Sequence, residues 1–254
     1  MLEPDEDTWR REYAAIPMEQ SESSLLTPGL LDRITRKAPE TLPYQDGWEY
    51  VAQMDPATRG NGWTLVIATR RREGDRFRRV IVRLREWRGT SSRPLLPDVV
   101  LAEIAAELAP YHLTAVWSDQ HHADSLMAIG RRIGLRVLVD TMSAPKVLDQ
   151  AENLATWIAD DEVEIPQHPQ LRADLLSIRR VLTANGMTIR LAETADGRHA
   201  DYAAAVMGAL GRFLRVPSAA DDRPAWKREQ DAILARVQKK HGPKPDVPWW
   251  KRSA

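Results

Sequence analysis

The chain has 254 residues, of which 43% are hydrophobic, and its 36 basic side chains are balanced by 36 acidic ones. These values are typical of a globular protein that buries one sizeable core. The absence of cysteine excludes disulfides, thiolate zinc sites and cysteine nucleophiles, and no apolar run approaches the roughly 20 residues of a membrane helix. Because the charged N-terminus also lacks the hydrophobic region of a signal peptide, we expect a cytoplasmic protein.

Charge is distributed unevenly along the sequence despite the neutral total. Ten arginines lie between Arg70 and Arg93 with three acidic residues among them, whereas the stretch from Asp149 to Glu164 is acidic. Clustered arginines of this kind predict a basic face that attracts phosphate.

Three regions are predicted from changes in composition. Residues 1–46 are interrupted by proline and charge and are interpreted as an N-terminal arm or linker, and residues 47–216 as one α/β domain. Residues 217–254 are polar, basic and proline-rich, which indicates a tail. This tail ends in Trp249 and Trp250 followed by two basic residues. Paired tryptophans predict docking on a partner or back onto the domain.

The central domain is predicted to begin with an antiparallel three-strand meander and to continue with parallel βα units. Three segments rich in β-branched and aromatic residues are separated by the turns Gly60-Asn-Gly and Glu73-Gly-Asp. After Pro97, helical and strand periodicities alternate. The predicted strands are Tyr50–Met54, Trp63–Thr69, Arg79–Trp87, Leu113–Trp117, Leu135–Val139 and Thr188–Leu191. The predicted helices are Trp9–Ala15, Leu30–Ile34, Val99–Pro110, Ser125–Ile133, Ala144–Ile158, Leu171–Ala184, Asp201–Leu214 and Arg223–Lys240. The expected fold class is therefore an α/β mixed sheet flanked by helices.

Three aspartates lie where apolar segments end or begin. Asp55 closes the first strand of the meander, Asp119 follows the fourth strand, and Asp201 opens an alanine-rich helix. A right-handed crossover after the meander can place the fourth strand parallel beside the first, so that the first two aspartates become neighbours. Three converging carboxylates repel one another unless a cation lies between them, and hard oxygen ligands favour Mg²⁺ or Mn²⁺. The pattern predicts two ions about 4 Å apart that promote phosphodiester hydrolysis.

Each aspartate also has an ordinary structural explanation. Asp55 precedes Pro56 and could open a turn, Asp119 could cap the following helix, and Asp201 could be an N-terminal helix acid. The three together, in the predicted topology, favour the metal site.

Two further candidates for the chemistry are Lys146 and His199. Lys146 follows the predicted N-cap Ser143 by three residues and could lie near the scissile phosphate or be solvated. His199 precedes Asp201 by two residues and could contact the phosphate or a metal-bound water, or be an ordinary loop residue. Surface positions at a helix start are predicted for His121, His122 and Asp124.

Alternation along the third strand predicts that its arginines share one face. Arg79, Arg83 and Arg85 are expected on the side of Ile81, opposite a face formed by Val80, Val82 and Leu84. Such a row could follow DNA phosphates or form a solvated outer face of the sheet.

Five segments combine into a recognisable pattern. They are Tyr50-Val-Ala-Gln-Met-Asp-Pro-Ala, Ala115-Val-Trp-Ser-Asp, Ser143-Ala-Pro-Lys, Val163-Glu-Ile-Pro-Gln-His-Pro-Gln-Leu and His199-Ala-Asp-Tyr-Ala-Ala-Ala. Their order and spacing resemble the ribonuclease-H-like nuclease domain of phage terminase large subunits, over residues 47–214. The resemblance implies an endonuclease that cuts concatemeric viral double-stranded DNA during genome packaging in an infected or lysogenic bacterial cell. It also implies Asp55, Asp119 and Asp201 as the metal ligands and 5′-phosphate and 3′-hydroxyl ends as products.

The sequence departs from that family in two respects. It has no Gly-x4-Gly-Lys-Ser/Thr phosphate loop, so the ATPase domain or motor subunit is expected elsewhere, on a longer protein or another gene product. Some relatives have an additional aspartate where this chain has Asn61. A small terminase subunit and the portal are further expected partners. Two alternatives stay open: a nuclease for branched DNA like the junction resolvases, or a catalytically weak docking module.

Overall fold

The computed structural model describes residues 22–120, 123–183, 186–192 and 199–214. The strands are β1 (Glu22–Ser24), β2 (Thr35–Arg36), β3 (Glu49–Asp55), β4 (Gly62–Glu73), β5 (Arg76–Arg88), β6 (Ala115–Ser118), β7 (Arg136–Val139), β8 (Val163–Pro166), β9 (Ile178–Thr183) and β10 (Gly186–Leu191). The helices are α1 (Pro28–Ile34), α2 (Pro97–Leu108), α3 (Ala123–Arg132), α4 (Ala144–Ala159), α5 (Pro169–Leu176) and α6 (Asp201–Gly211), with short 3₁₀ turns after α2 and α6. Within the described ranges, no helix combines the length and apolar character needed to cross a bilayer.

The main sheet has seven strands in the order β2-β8-β5-β4-β3-β6-β7. Strands β3, β4 and β5 form an antiparallel meander, β6 and β7 continue it in parallel beside β3, and β8 runs parallel to β5. The predicted mixed α/β fold is thereby confirmed. A second, antiparallel sheet has the order β1-β9-β10.

Helices cover both faces of the main sheet, and each face has its own hydrophobic core. Helices α4 and α6 pack on one face against Val66, Ala68 and Ile81, whereas α2 and α3 pack on the other against Leu65 and Ile67. Adjacent residues of β4 alternate between the two cores because successive side chains of a strand point to opposite faces. The centre of the sheet is therefore apolar on both sides, and polar side chains collect at the strand ends.

A β-bulge in β5 overturns one expectation about its arginines. Ile67 pairs with Arg83 and Ala68 pairs with Ile81, which leaves Val82 without a partner residue. An extra residue reverses the alternation beyond it. The prediction that Arg79, Arg83 and Arg85 share one face is consequently wrong.

The predicted helix Leu171–Ala184 is wrong in its second half. Helix α5 ends at Leu176, and Ile178–Thr183 forms the central strand of the second sheet, between β1 and β10. Strand β10 begins at Gly186, whose φ of 108° is accessible to glycine. The pairing of the Ile178–Thr183 segment with the distant strand β1 outweighs its local preference for a helix.

Part of the segment predicted as an N-terminal arm packs into the main core. Strand β2 adds to the edge of the main sheet through β8, and Leu26 and Leu31 are buried in the core beneath α4. The helices predicted at Trp9–Ala15 and Arg223–Lys240 and the paired tryptophans of the tail lie outside the described residues.

Candidate active site

The first two candidate aspartates end adjacent parallel strands. Gln53 of β3 pairs with Trp117 of β6, so continuing this register by two residues places Asp55 beside Asp119. Neighbouring strands lie about 4.8 Å apart. The predicted parallel pairing of these strands is confirmed, and it brings both aspartates to the same edge of the sheet.

The third aspartate is held at this edge by β4. Asp201 is the first residue of α6, and the residue is 6% exposed. Its Oδ2 accepts a hydrogen bond from the Gly62 N–H at 2.8 Å, and its carbonyl accepts one from the Thr64 hydroxyl at 3.1 Å. Because Thr64 is the cross-strand partner of Asp55, these bonds fix Asp201 beside the first aspartate.

A fourth aspartate, which sequence reasoning missed, anchors the start of α6. Asp174 is fully buried, and its Oδ2 accepts a hydrogen bond from the Tyr202 N–H at 2.9 Å. Its Oδ1 accepts a second bond from Gln170 at 2.9 Å. The Tyr202 N–H is one of the helix-terminal donors that have no partner within the helix. Asp174 therefore orients the first turn of α6 and, with it, the neighbouring Asp201.

The three candidate aspartates share one electrostatic environment. Burial, together with the negative charges of Asp119 and Asp201, raises the pKa of Asp55 from 3.8 to about 7. Each of these influences disfavours the ionised form. A bound cation would reverse this balance, because its charge is the largest in such a site.

The donor chemistry fits a hard divalent cation. Three carboxylates and no thiolate or imidazole favour Mg²⁺ or Mn²⁺ over zinc. Across the ranges the structure describes, no three acidic or histidine side chains stand close enough together to hold one ion. The three aspartates therefore lie at the same edge of the sheet and influence one another electrostatically, but their side chains are not close enough together to form a complete set of metal ligands.

Lys146 is held beside the same edge by an ion pair with Asp140. Asp140 follows β7, and its N–H donates to the carbonyl of Ser118 at 2.9 Å. Its Oδ1 bonds to the Lys146 ammonium, and its Oδ2 lies 2.5 Å from the guanidinium of Arg212. Burial acts to raise the pKa of Asp140, but the hydrogen bonds and charges of Lys146 and Arg212 outweigh it and hold the pKa below its usual range. The proposed contact of Lys146 with phosphate stays a prediction.

Arg212 connects several strands of the sheet to α6. Its guanidinium lies 3.8 Å from the centre of the Trp117 ring, and its Nη2 donates to the side chain of Gln53 at 3.4 Å.

Asp140 and Arg212 are not identified as site residues from the sequence. Asp140 carries the same signal as Asp119, an acid directly after an apolar strand, and could have been found from it.

The last residues considered from the sequence are three histidines and Asp124. His199 is exposed and precedes α6 by two residues, so its proposed contact with phosphate or water stays a prediction. His121 and His122 lie outside the described residues, and Asp124 is in the first turn of α3.

The three arginines predicted to contact DNA are engaged with glutamates. On one face, Arg79 is buried, pairs with Glu162 at 2.8 Å and lies over the ring of Trp157. On the other face, α2 supplies glutamate partners to Arg83 and Arg85. These contacts give the three arginines a structural role, and their role in DNA binding stays a prediction.

The raised pKa of Asp55 predicts an unusual pH dependence of stability. In the metal-free protein the folded state keeps the Asp55 proton up to about pH 7, whereas the unfolded chain releases it near 3.8. The free energy of unfolding should therefore fall as pH rises through this window. Asp55→Asn should remove this loss of stability. In EDTA, the variant should therefore have a higher melting temperature than wild type at pH 8 but not at pH 4. Excess Mg²⁺ should reverse the order at pH 8. If the melting temperatures of the variant and of wild type differed by the same amount at every pH, the electrostatic influence of Asp119 and Asp201 on Asp55 would be contradicted.

Comparison with known proteins gives a structural likeness without a sequence match. No protein-family model and no curated protein matches the sequence. The large terminase of bacteriophage HK97 superposes with a TM-score of 0.61 at 16% identity, over 76% of this chain and 44% of that one. The large terminase nuclease of thermophilic phage G20c gives 0.57 at 16% identity, over 73% of this chain and 96% of that one. Its magnesium-bound structure gives 0.57 at 15% identity, with 76% and 97% covered.

These values fix the architecture of the chain. It spans less than half of the HK97 protein but nearly all of the separate G20c nuclease domain. The chain therefore has the fold of the nuclease domain of a phage large terminase, the family that its sequence resembles.

Proposed function

We propose that this chain is a metal-dependent endodeoxyribonuclease that cuts concatemeric viral double-stranded DNA during genome packaging. The observation that carries the proposal is the placement of Asp55, Asp119 and Asp201 at one edge of the sheet. Ligands of open α/β sheets bind at this position, beyond the carboxyl ends of the strands. The fold shared with terminase nuclease domains supports the same reaction class.

The three aspartates would hold two Mg²⁺ or Mn²⁺ ions. Such ions, when bound, activate a water and stabilise the leaving oxygen of the phosphodiester. The chain's own contribution is to fix the carboxylates: Gly62 and Thr64 hold Asp201 against β4, and the β3–β6 register holds the other two. The G20c nuclease has been solved with magnesium and with cobalt bound, which supports a divalent cation at this site.

The packaging role would require partners. The HK97 large terminase is more than twice as long as the region shared with this chain, so an ATPase domain or motor subunit would supply translocation. A small terminase subunit and the portal complete the proposed assembly, within the infected or lysogenic bacterial cell.

Plasmid cutting by the purified chain tests the proposal. Supercoiled DNA should be nicked and linearised in Mg²⁺ or Mn²⁺ and should stay intact in EDTA. The absence of cutting in both metals would contradict the endonuclease and favour a docking module. A four-way junction is a second substrate in the same assay, because faster cutting of the junction than of linear duplex would identify a junction resolvase instead.

A further inference from the structure

Most of the arginine cluster between Arg70 and Arg93 is neutralised within the fold. Eight of its ten arginines pair with a carboxylate. The pairs are Arg70–Glu49, Arg71–Glu73, Arg72–Asp75, Arg78–Glu164, Arg79–Glu162, Arg83–Glu107, Arg85–Glu103 and Arg88–Glu86. Considering the described residues alone, Arg76 and Arg93 have no carboxylate partner, and neither has Arg59 outside the cluster. The predicted basic face is thereby reduced to a few exposed positions.

Two of these three unpaired arginines belong to loops that leave the strands at the candidate active site. Arg59 is exposed in the loop 56–61, directly after Asp55, where the Asn61 N–H donates to the Arg59 carbonyl at 2.9 Å. Arg93 is exposed in the loop 89–96, in a turn closed by two hydrogen bonds between the backbones of Thr90 and Arg93, at 2.9 and 3.2 Å. The third, Arg76, lies at the opposite end of the β4–β5 hairpin.

The two loops pack on each other. The Leu95 N–H donates to the Thr58 carbonyl at 2.9 Å, and a Cβ at Gly89 would lie 2.4 Å from the same oxygen. Glycine at position 89 therefore permits the close approach of the two backbones. The backbones that carry Arg59 and Arg93 are held together before any ligand arrives.

The register of the sheet ties both loops to Asp201. Gly62, the first residue of β4 after the first loop, donates its N–H to the Asp201 carboxylate. Its cross-strand partner is Arg88, the residue after which the second loop begins. Paired residues of antiparallel strands lie about 5 Å apart. The end of the first loop and the start of the second loop therefore both lie next to the residue pair that contacts this carboxylate.

We propose that Arg59 and Arg93 form a phosphate-binding rim for the DNA strand that enters the candidate active site. The inference rests on the proposed nuclease function. A cluster of aspartates repels a polyanionic substrate, and unpaired cations at its border offset that repulsion. Guanidinium groups suit this role because they bind phosphate oxygens in a bidentate manner. Arg88 is excluded from the rim because Glu86 already pairs with it at 2.9 Å.

The salt dependence of DNA binding tests the rim. The full chain is titrated onto a short fluorescent duplex in EDTA, which prevents metal-dependent cutting, at several NaCl concentrations. Log affinity against log salt has a slope of about −0.9 for each phosphate contact. The double variant Arg59→Ala/Arg93→Ala should flatten the slope by about 1.8, if each arginine makes one contact. Arg59→Lys/Arg93→Lys should retain most of the wild-type slope because the charges remain.

A matched control removes equal charge elsewhere. Arg76→Ala/Arg132→Ala replaces two exposed arginines that, in the described part of the chain, have no carboxylate partner and lie away from the aspartates. This control should bind with the wild-type slope. An unchanged slope in Arg59→Ala/Arg93→Ala, or equal flattening in the control, would overturn the rim.

Plasmid cutting by the same wild-type preparation separates the two proposals. Metal-dependent cutting with an unchanged slope in the rim variant would overturn the rim and leave the nuclease standing. A flattened slope without cutting by wild type would overturn the nuclease and keep the rim as a DNA-binding feature.

Discussion

Asp201→Asn should slow DNA cutting by on the order of 10²–10³-fold while leaving the protein folded. The asparagine side-chain oxygen can still accept the Gly62 N–H bond, so the start of α6 keeps its position. The substitution removes one negative charge from the proposed metal ligands. Metal ions stabilise such transition states by several kcal/mol, and each 1.36 kcal/mol corresponds to a tenfold rate. Initial rates of plasmid linearisation in Mg²⁺ and in Mn²⁺ measure the effect.

Asp98→Asn is the matched control for this change. Asp98 is an exposed acid in the first turn of α2, so its variant alters the same chemical group at another helix start. It should cut at the wild-type rate. Cutting by Asp201→Asn at the rate of this control would remove Asp201 from the active site.

Arg212→Met should destabilise the fold by about 3 kcal/mol, which is typical of a buried ion pair that loses one partner. The side chains of Arg212 and Asp140 are 12% and 15% exposed, and among the described residues the variant leaves Lys146 as the remaining cation partner of Asp140. The stacking on Trp117 is weakened as well. Urea unfolding, with the midpoint and slope compared to wild type, measures the loss.

Arg172→Met provides the comparison at a more accessible ion pair. The side chains of Arg172 and Asp32 are 36% and 67% exposed, and surface pairs contribute about 1 kcal/mol or less. A clearly larger loss is therefore expected for Arg212→Met than for Arg172→Met. Equal losses of stability in the two variants would mean that the ion pair between Arg212 and Asp140 does not fix the C-terminal end of α6.

The elements that carry the aspartates could be predicted because their signals are local. The turn at Gly74, with a φ of 61°, and the β-rich segments on either side identify the β4–β5 hairpin without knowledge of the rest of the chain. The parallel placement of β6 beside β3 followed from the rule for right-handed crossovers. Asp55 and Asp119 were found together for that reason.

Features that depend on tertiary contacts could not be predicted in this way. The bulge at Val82 inserts a single residue, and the alternating pattern around it gives no sign of the reversal. Asp174 looks like an ordinary surface acid of a helix until the fold brings the Tyr202 N–H to its side chain. The neutralisation of Arg78 and Arg79 by Glu164 and Glu162 likewise requires that β8 lies beside β5.

In the proposed mechanism, Asp55, Asp119 and Asp201 together bind the ions that drive DNA cutting. Anomalous diffraction from crystals soaked in Mn²⁺ tests it most directly, because the signal locates the ions without reference to activity. Anomalous peaks bounded by the carboxylates of these three aspartates are expected. Peaks elsewhere, or an absence of Mn²⁺ at this edge of the sheet under conditions in which the protein cuts DNA, would contradict it.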